Sequence, residues 1–215
     1  AAIAERASAK YDIPIVFDPP LVRLETIASQ HRSLFVFAQH MDPIEPGRGM
    51  GAVLPESLIA AGAAGVILNH VERPLSLSDL ARTVQRAKQV GLMTIVCADS
   101  LVEAEAVTHL GPHVVVSEPT ELIGTGRTSN SDYIAESVRV VKRITSEVLV
   151  LHGAGISSGE DVYKVIMAGA DATGASSAIA KSSRPDQLID EMLEAVRDAW
   201  NERQSVSGQG NALPG

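Results

Sequence analysis

At 215 residues, with 45% hydrophobic and 20% charged side chains, the chain is long enough to bury a substantial core as one large domain of ordinary soluble composition. A net charge of −8 without any long basic run argues against nucleic acid or an anionic membrane surface as partner, while leaving room for one local cationic pocket. No apolar stretch approaches the roughly 18 residues of a membrane span, and the lone Cys97 excludes an intrachain disulfide framework and fits a reducing, cytoplasmic setting.

The chain opens on a helical pattern, AAIAERASAKY, with no strand before it. Short apolar, β-branched runs then recur at 13–17, 34–38, 65–68, 93–97, 113–116 and 147–151, with a weaker one at 170–174. They are apolar nearly throughout rather than alternating, as expected of parallel strands covered on both faces. Helical patterns separate them. Ser76 with Asp79, and Ser158 with Asp161, read as capping boxes ahead of two of these helices. Ile134, Val138 and Val141 share one helical face, and so do Leu188, Met192, Val196 and Trp200. Residues 201–215 read as a polar tail after a single domain spanning 1–200.

Repeated strand–helix units predict an α/β fold, either a closed (β/α)8 barrel or an open doubly wound sheet. Polar and glycine signals sit at the C-terminal ends of several strands, and no GxGxxG follows the first of them. Both favour the barrel. Only seven strands are counted, so the expected barrel lacks its first strand in this chain, with its loop and part of a helix, roughly 20–30 residues at typical element lengths. Two unpaired edges would remain, which predicts association.

Four clusters at strand ends could carry chemistry. In ILNHVERP, His70 ends a strand shortly before a helix N-terminus, which favours neutral imidazole, able to donate to a carbonyl. A strand-end histidine bonded to backbone is the plainer alternative. Glu72 and Arg73 beside it form a rim ion pair or support the site. In SEPTELIGTG, Glu118 is either a base made stronger by desolvation or a rim ion pair, and the Gly-Thr-Gly that follows suits a hinged flap. LHGAGISSGEDV is a glycine-rich turn into a capped helix, offering backbone N–H groups to an anion or serving only as a turn. TGASSAIAK offers close backbone approach in a late loop, where barrels hold phosphate. His31, His109, His113 and His152 show no metal-ligand spacing with Cys97, so neither a metal nor another cofactor is expected. Cys97 itself, inside an apolar run, reads as a small core residue.

FAQHMDPIEPG, GVILNHVERP, GLMTIVC, EPTELIGTG and GAGISSGEDV, in this order and at similar spacing, resemble the triosephosphate isomerase family in its compact archaeal form. The resemblance runs from about residue 13 to 200 and implies a TIM barrel that interconverts dihydroxyacetone phosphate and glyceraldehyde 3-phosphate, a step of glycolysis and gluconeogenesis. It implies Glu118 as the base and His70 as the neutral electrophile, with residues 119–126 as a lid. Ile123 and Gly124 in that lid, Gly155 in the GAG turn, and Ser176 and Ser177 in the last loop would bind the phosphate. It also implies a homo-oligomer, tetramer or dimer. The chain departs from the family in four ways. The Asn-x-Lys segment of the first strand is unmatched, Val71 replaces a usual serine, Met50 a usual threonine, and the stretch after the lid is shorter. Two further readings are therefore carried: an impaired or non-catalytic phosphate-binding barrel, and an enzyme acting on a different sugar phosphate.

Overall fold

The structure, a computed structural model, describes residues 1–119 and 130–209, with side chains to 205. Seven strands form one sheet in strictly sequential order: β1 Val16–Phe17, β2 Phe35–Ala38, β3 Gly65–Leu68, β4 Met93–Ala98, β5 Val114–Ser117, β6 Leu149–His152 and β7 Ala172–Thr173. Every pairing is parallel. The helices are α1 Ala2–Tyr11, α2 Leu24–Gln30, α3 Pro55–Ala60, α4 Leu77–Val90, α5 Leu101–Thr108, α6 Ser131–Ile144, α7 Gly159–Met167, α8 Ser177–Lys181 and α9 Pro185–Gln209. Parallel neighbours need a crossover each, and crossovers of one hand curl the sheet with its helices outside. This is the α/β barrel expected from the pattern, with seven strands among the described residues. β1 and β7 each have one strand neighbour there.

The strand period of two divides the sheet into faces. Register places Ile67, Ile95, Val114 and Leu149 side by side, and likewise Cys97, Val116 and Leu151. These point inward, where Phe37, Ile95 and Val116 form the buried centre. Gly65 is required here, because a Cβ would lie 2.5 Å from the Phe37 ring that fills the barrel above it. The alternate residues, Val36, Val66, Val96, Val115 and Val150, face the helices and join Leu80, Val84 and Val107 in the larger core. Both faces are buried, so these strands carry no polar alternation.

Both serines cap their helices, the serine half of each expected box. Ser76 Oγ accepts from Asp79 N at 3.1 Å, and Ser158 Oγ from Asp161 N at 3.2 Å. Three details differ from the sequence expectation. Pairing of the first strand starts late, with Ile15 O accepting from Phe35 N, because Pro14 has no N–H to offer. On α9, Ala199 takes the buried position and Trp200 stays 43% exposed. The expected tail also begins too early: α9 runs on to Gln209. Its Arg203 donates to the Ile166 and Ala170 carbonyls at the end of α7, a favourable place for a cation.

Candidate active site

Glu118 directly follows β5, and its N–H donates to Ala98 O at 2.9 Å. Continuing the inward parity of Val114 and Val116 brings its carboxylate to the C-terminal mouth of the barrel. Burial there raises its pKa, and the opposing pull of His70 and of the Gly153 N–H does not offset it. Gly153 follows β6, and a Cβ on it would sit 2.5 Å from Glu118 Oε1 and 3.1 Å from Gly174 O. The carboxylate therefore rests against bare backbone where the loops after β6 and β7 meet.

His70 reaches the same mouth through an unusual residue. Asn69 ends the β3 run with φ 60°, a left-handed conformation that asparagine tolerates better than most. Its side chain locks the turn: Nδ2 donates to Cys97 O at 3.0 Å and to Glu103 Oε1 at 2.9 Å, while Oδ1 accepts from Leu75 N at 2.9 Å. The left-handed step breaks the strand alternation before His70. His70 Nδ1 accepts from Glu72 N at 3.3 Å, so the neutral ring carries its proton on Nε2. Glu72 turns its exposed carboxylate toward His70, 4.0 Å from Nδ1, rather than toward Arg73. Arg73 holds the turn by its main chain, N–H to His70 O at 2.7 Å, and its charge acts on the His40–Asp42 pair.

Two further groups face this mouth. Cys97, in register with Val116, has its thiol pushed up to about 12 by burial and by the charges of Glu118, Glu103 and Asp18. Asp18, just after β1, was missed by the sequence reading, although an acid at a strand end in FDPP was a usable signal. Part of it meets solvent, yet the surrounding protein raises its pKa, and His70 pulls the other way.

Of the expected phosphate ligands, Gly155 lies in the turn after β6 at φ 72°, a backbone that favours glycine. Ser157 and Ser158 beyond it turn their hydroxyls to Asp161. Ser176 precedes α8 without a side-chain capping bond, and both it and Ser177 are exposed. Ile123 and Gly124, with 120–126 of the expected lid, lie outside the described residues. A cavity of about 330 Å³ lined by Arg32, Phe35 and Gly62 lies at the start of β2, at the opposite end from this chemistry. Among the described residues no group of three or more His, Cys, Asp or Glu is placed to hold a metal ion, and no helix is long and apolar enough to cross a membrane.

A parallel sheet wrapped by helices, with a desolvated carboxylate and an imidazole at its C-terminal mouth, defines an α/β barrel protein. A family model for triosephosphate isomerase matches residues 1–192. The triosephosphate isomerase of Sulfurisphaera tokodaii is 38% identical over 192 residues, covering 88% of this chain and 83% of the relative. That of Sulfolobus acidocaldarius is 38% identical over 202 residues, covering 93% and 87%, and that of Methanocaldococcus jannaschii 36% over 199, covering 91% and 90%. The chain belongs to the triosephosphate isomerase family.

Proposed function

We propose that this chain interconverts dihydroxyacetone phosphate and glyceraldehyde 3-phosphate by proton transfer through an enediolate, without metal or cofactor. The observation that carries the reading is the Glu118 carboxylate, desolvated at a barrel mouth within electrostatic reach of His70, whose Nδ1 is turned to the Glu72 N–H. Glu118 takes the proton from the carbon beside the carbonyl, and burial makes it the stronger base for that step. His70 Nε2–H donates to the carbonyl oxygen and holds the charge that develops on it. His70 Nε2 then relays the hydroxyl proton from one enediolate oxygen to the other, and Glu118 returns its proton to the neighbouring carbon, leaving the new carbonyl where the hydroxyl was. The backbone at Gly155, with Ser176 and Ser177, would hold the phosphate, joined by Ile123 and Gly124 of the lid, which would also keep water from the enediolate. Glu72 supports His70 through its N–H, and Arg73 closes the same turn.

The same reading carries a cytoplasmic location and a homo-oligomer, dimer or tetramer. Exposed Met50, Val22 and Val102, at 105%, 91% and 80%, are apolar surface that association would cover. Light scattering of the purified chain checks it.

The test is triose phosphate isomerisation by the 215-residue chain beside Glu118→Gln. Turnover that falls by at least about 10³-fold in the variant is the expected result. Turnover preserved in Glu118→Gln would remove Glu118 as the base. An intact chain that binds phosphate and shows no turnover would favour the non-catalytic reading.

A further inference from the structure

The peptide linking His152 to Gly153 is tied to three parts of the barrel. The His152 ring is 2% exposed, and its Nε2 lies 2.7 Å from Ser137 Oγ on α6. The serine's hydroxyl donates to Ile134 O at 2.8 Å, so it accepts from the ring. The His152 carbonyl accepts from Thr173 Oγ1 on β7, also at 2.8 Å. The N–H of that same peptide, on Gly153, is the main-chain donor that acts on the Glu118 carboxyl. A peptide is planar, with its C=O and N–H pointing opposite ways. Holding the carbonyl therefore aims the N–H.

The carboxyl is close enough to feel this aim. A Cβ at Gly153 would stand 2.5 Å from Glu118 Oε1, so the carboxylate packs directly against the Gly153 backbone. Among the described residues, the other groups that face it are His70 from the loop after β3 and Cys97 from β4, with Asp18 and Glu103 in the wider mouth acting on Cys97. The thiol, with its pKa pushed up to about 12, stays neutral through the working range. Among the described residues, the Gly153 N–H favours the ionised carboxylate against burial, and the His70 ring adds to it when charged.

We propose that Thr173 is a positioning residue for Glu118: its hydroxyl holds the His152 carbonyl so that the Gly153 N–H points at the carboxylate, while the His152 ring anchors the same peptide to α6. The role rests on the assignment of Glu118 as the base. A bonded chain from hydroxyl to carbonyl to N–H to carboxylate also polarises the donor beyond what a free peptide offers. Without the hydroxyl, the peptide gains freedom to tilt, the ionised carboxylate loses a donor, and the base keeps its proton to higher pH.

The experiment compares Thr173→Val, which keeps the β-branched shape and loses the donor, with Thr173→Ser, which keeps the donor, and with Glu118→Gln. The acid limb of the kcat/KM profile should move to higher pH in Thr173→Val, with activity below the limb falling about two- to tenfold, the worth of one hydrogen bond. Thr173→Ser should return both most of the way. A carbon-13 NMR titration of the Glu118 carboxyl, which needs no turnover, should shift in the same direction in Thr173→Val. If Glu118→Gln is inactive while both the profile and the titration of folded Thr173→Val match the unchanged protein, the positioning role is wrong and the base assignment stands. Activity surviving in Glu118→Gln would overturn the base assignment, and this role with it.

Discussion

Acidifying this protein from pH 6.5 to 4 should destabilise it by about 3 kcal/mol through a single ring. Burial pulls the His152 pKa from 6.5 down to about 4. The ring has almost no exposure, its Nε2 is committed to Ser137, and its Nδ1 has no partner among the described residues. The unfolded chain takes up a proton at this residue near pH 6.5, and the folded one only near pH 4. Between those values the unfolded state binds more protons, so stability falls as pH falls, and the loss levels off below about pH 4. A gap of about 2.5 pH units at about 1.4 kcal/mol each sets the full loss at about 3–4 kcal/mol, of which about 3 is reached by pH 4. His40 and His113, also depressed by burial, push the same way, so the contrast must be made with a variant. His152→Gln keeps an N–H for Ser137 and removes the titration. Urea unfolding followed by circular dichroism from pH 7 to 4 should show a shallower stability slope in His152→Gln, by up to about 1.4 kcal/mol per pH unit. Parallel slopes for the two proteins would refute the reasoning.

Other expectations follow from single contacts. Gly153→Ala places a methyl group 2.5 Å from Glu118 Oε1, and kcat should fall about 10²-fold in steady-state assays while the circular dichroism spectrum is kept. Asn69→Ala deletes three hydrogen bonds of the His70 turn and leaves an alanine at φ 60°; urea unfolding should show a loss of about 2–4 kcal/mol, with kcat lowered more than KM is raised. Cys97, its thiol pushed up to about 12, should resist iodoacetamide at pH 8 in the folded protein and react fully in urea. Ser158→Ala removes the cap of α7 and one partner of Asp161, for about 1 kcal/mol in the same unfolding assay.

The parts of this protein that a reader of the sequence can see are those governed by short-range rules. Fully buried parallel strands are continuous apolar runs, so β2 through β6 were recognisable one at a time. Ser76–Asp79 and Ser158–Asp161 are caps closed within a few residues, and the chain alone announces them. Charged residues that end apolar runs nominated Glu118 and His70 in the same way. Reading weakened where a neighbour's position mattered. Ala199 and Trp200 are adjacent on α9, and only the packing of α7 and α1 against that helix decides which is buried. The extension to Gln209 depends on carbonyls at the end of α7 that the tail's own composition does not advertise.

The site shows the same division more sharply. Its two candidate residues, Glu118 and His70, could be nominated from the chain, but what holds them could not. Asn69 in a left-handed turn, Glu103 reaching across from α5, Asp18 at the mouth and Thr173 behind the Gly153 peptide act through other strands. The sequence by itself determined the element types, their order and the identity of the acid–base candidates, because period and capping are local. Tertiary structure alone decided that Glu118 rests against the Gly153 backbone and that His70 Nδ1 faces the Glu72 N–H. Those facts are set by strand register and by the direction of individual peptides, which no local pattern encodes.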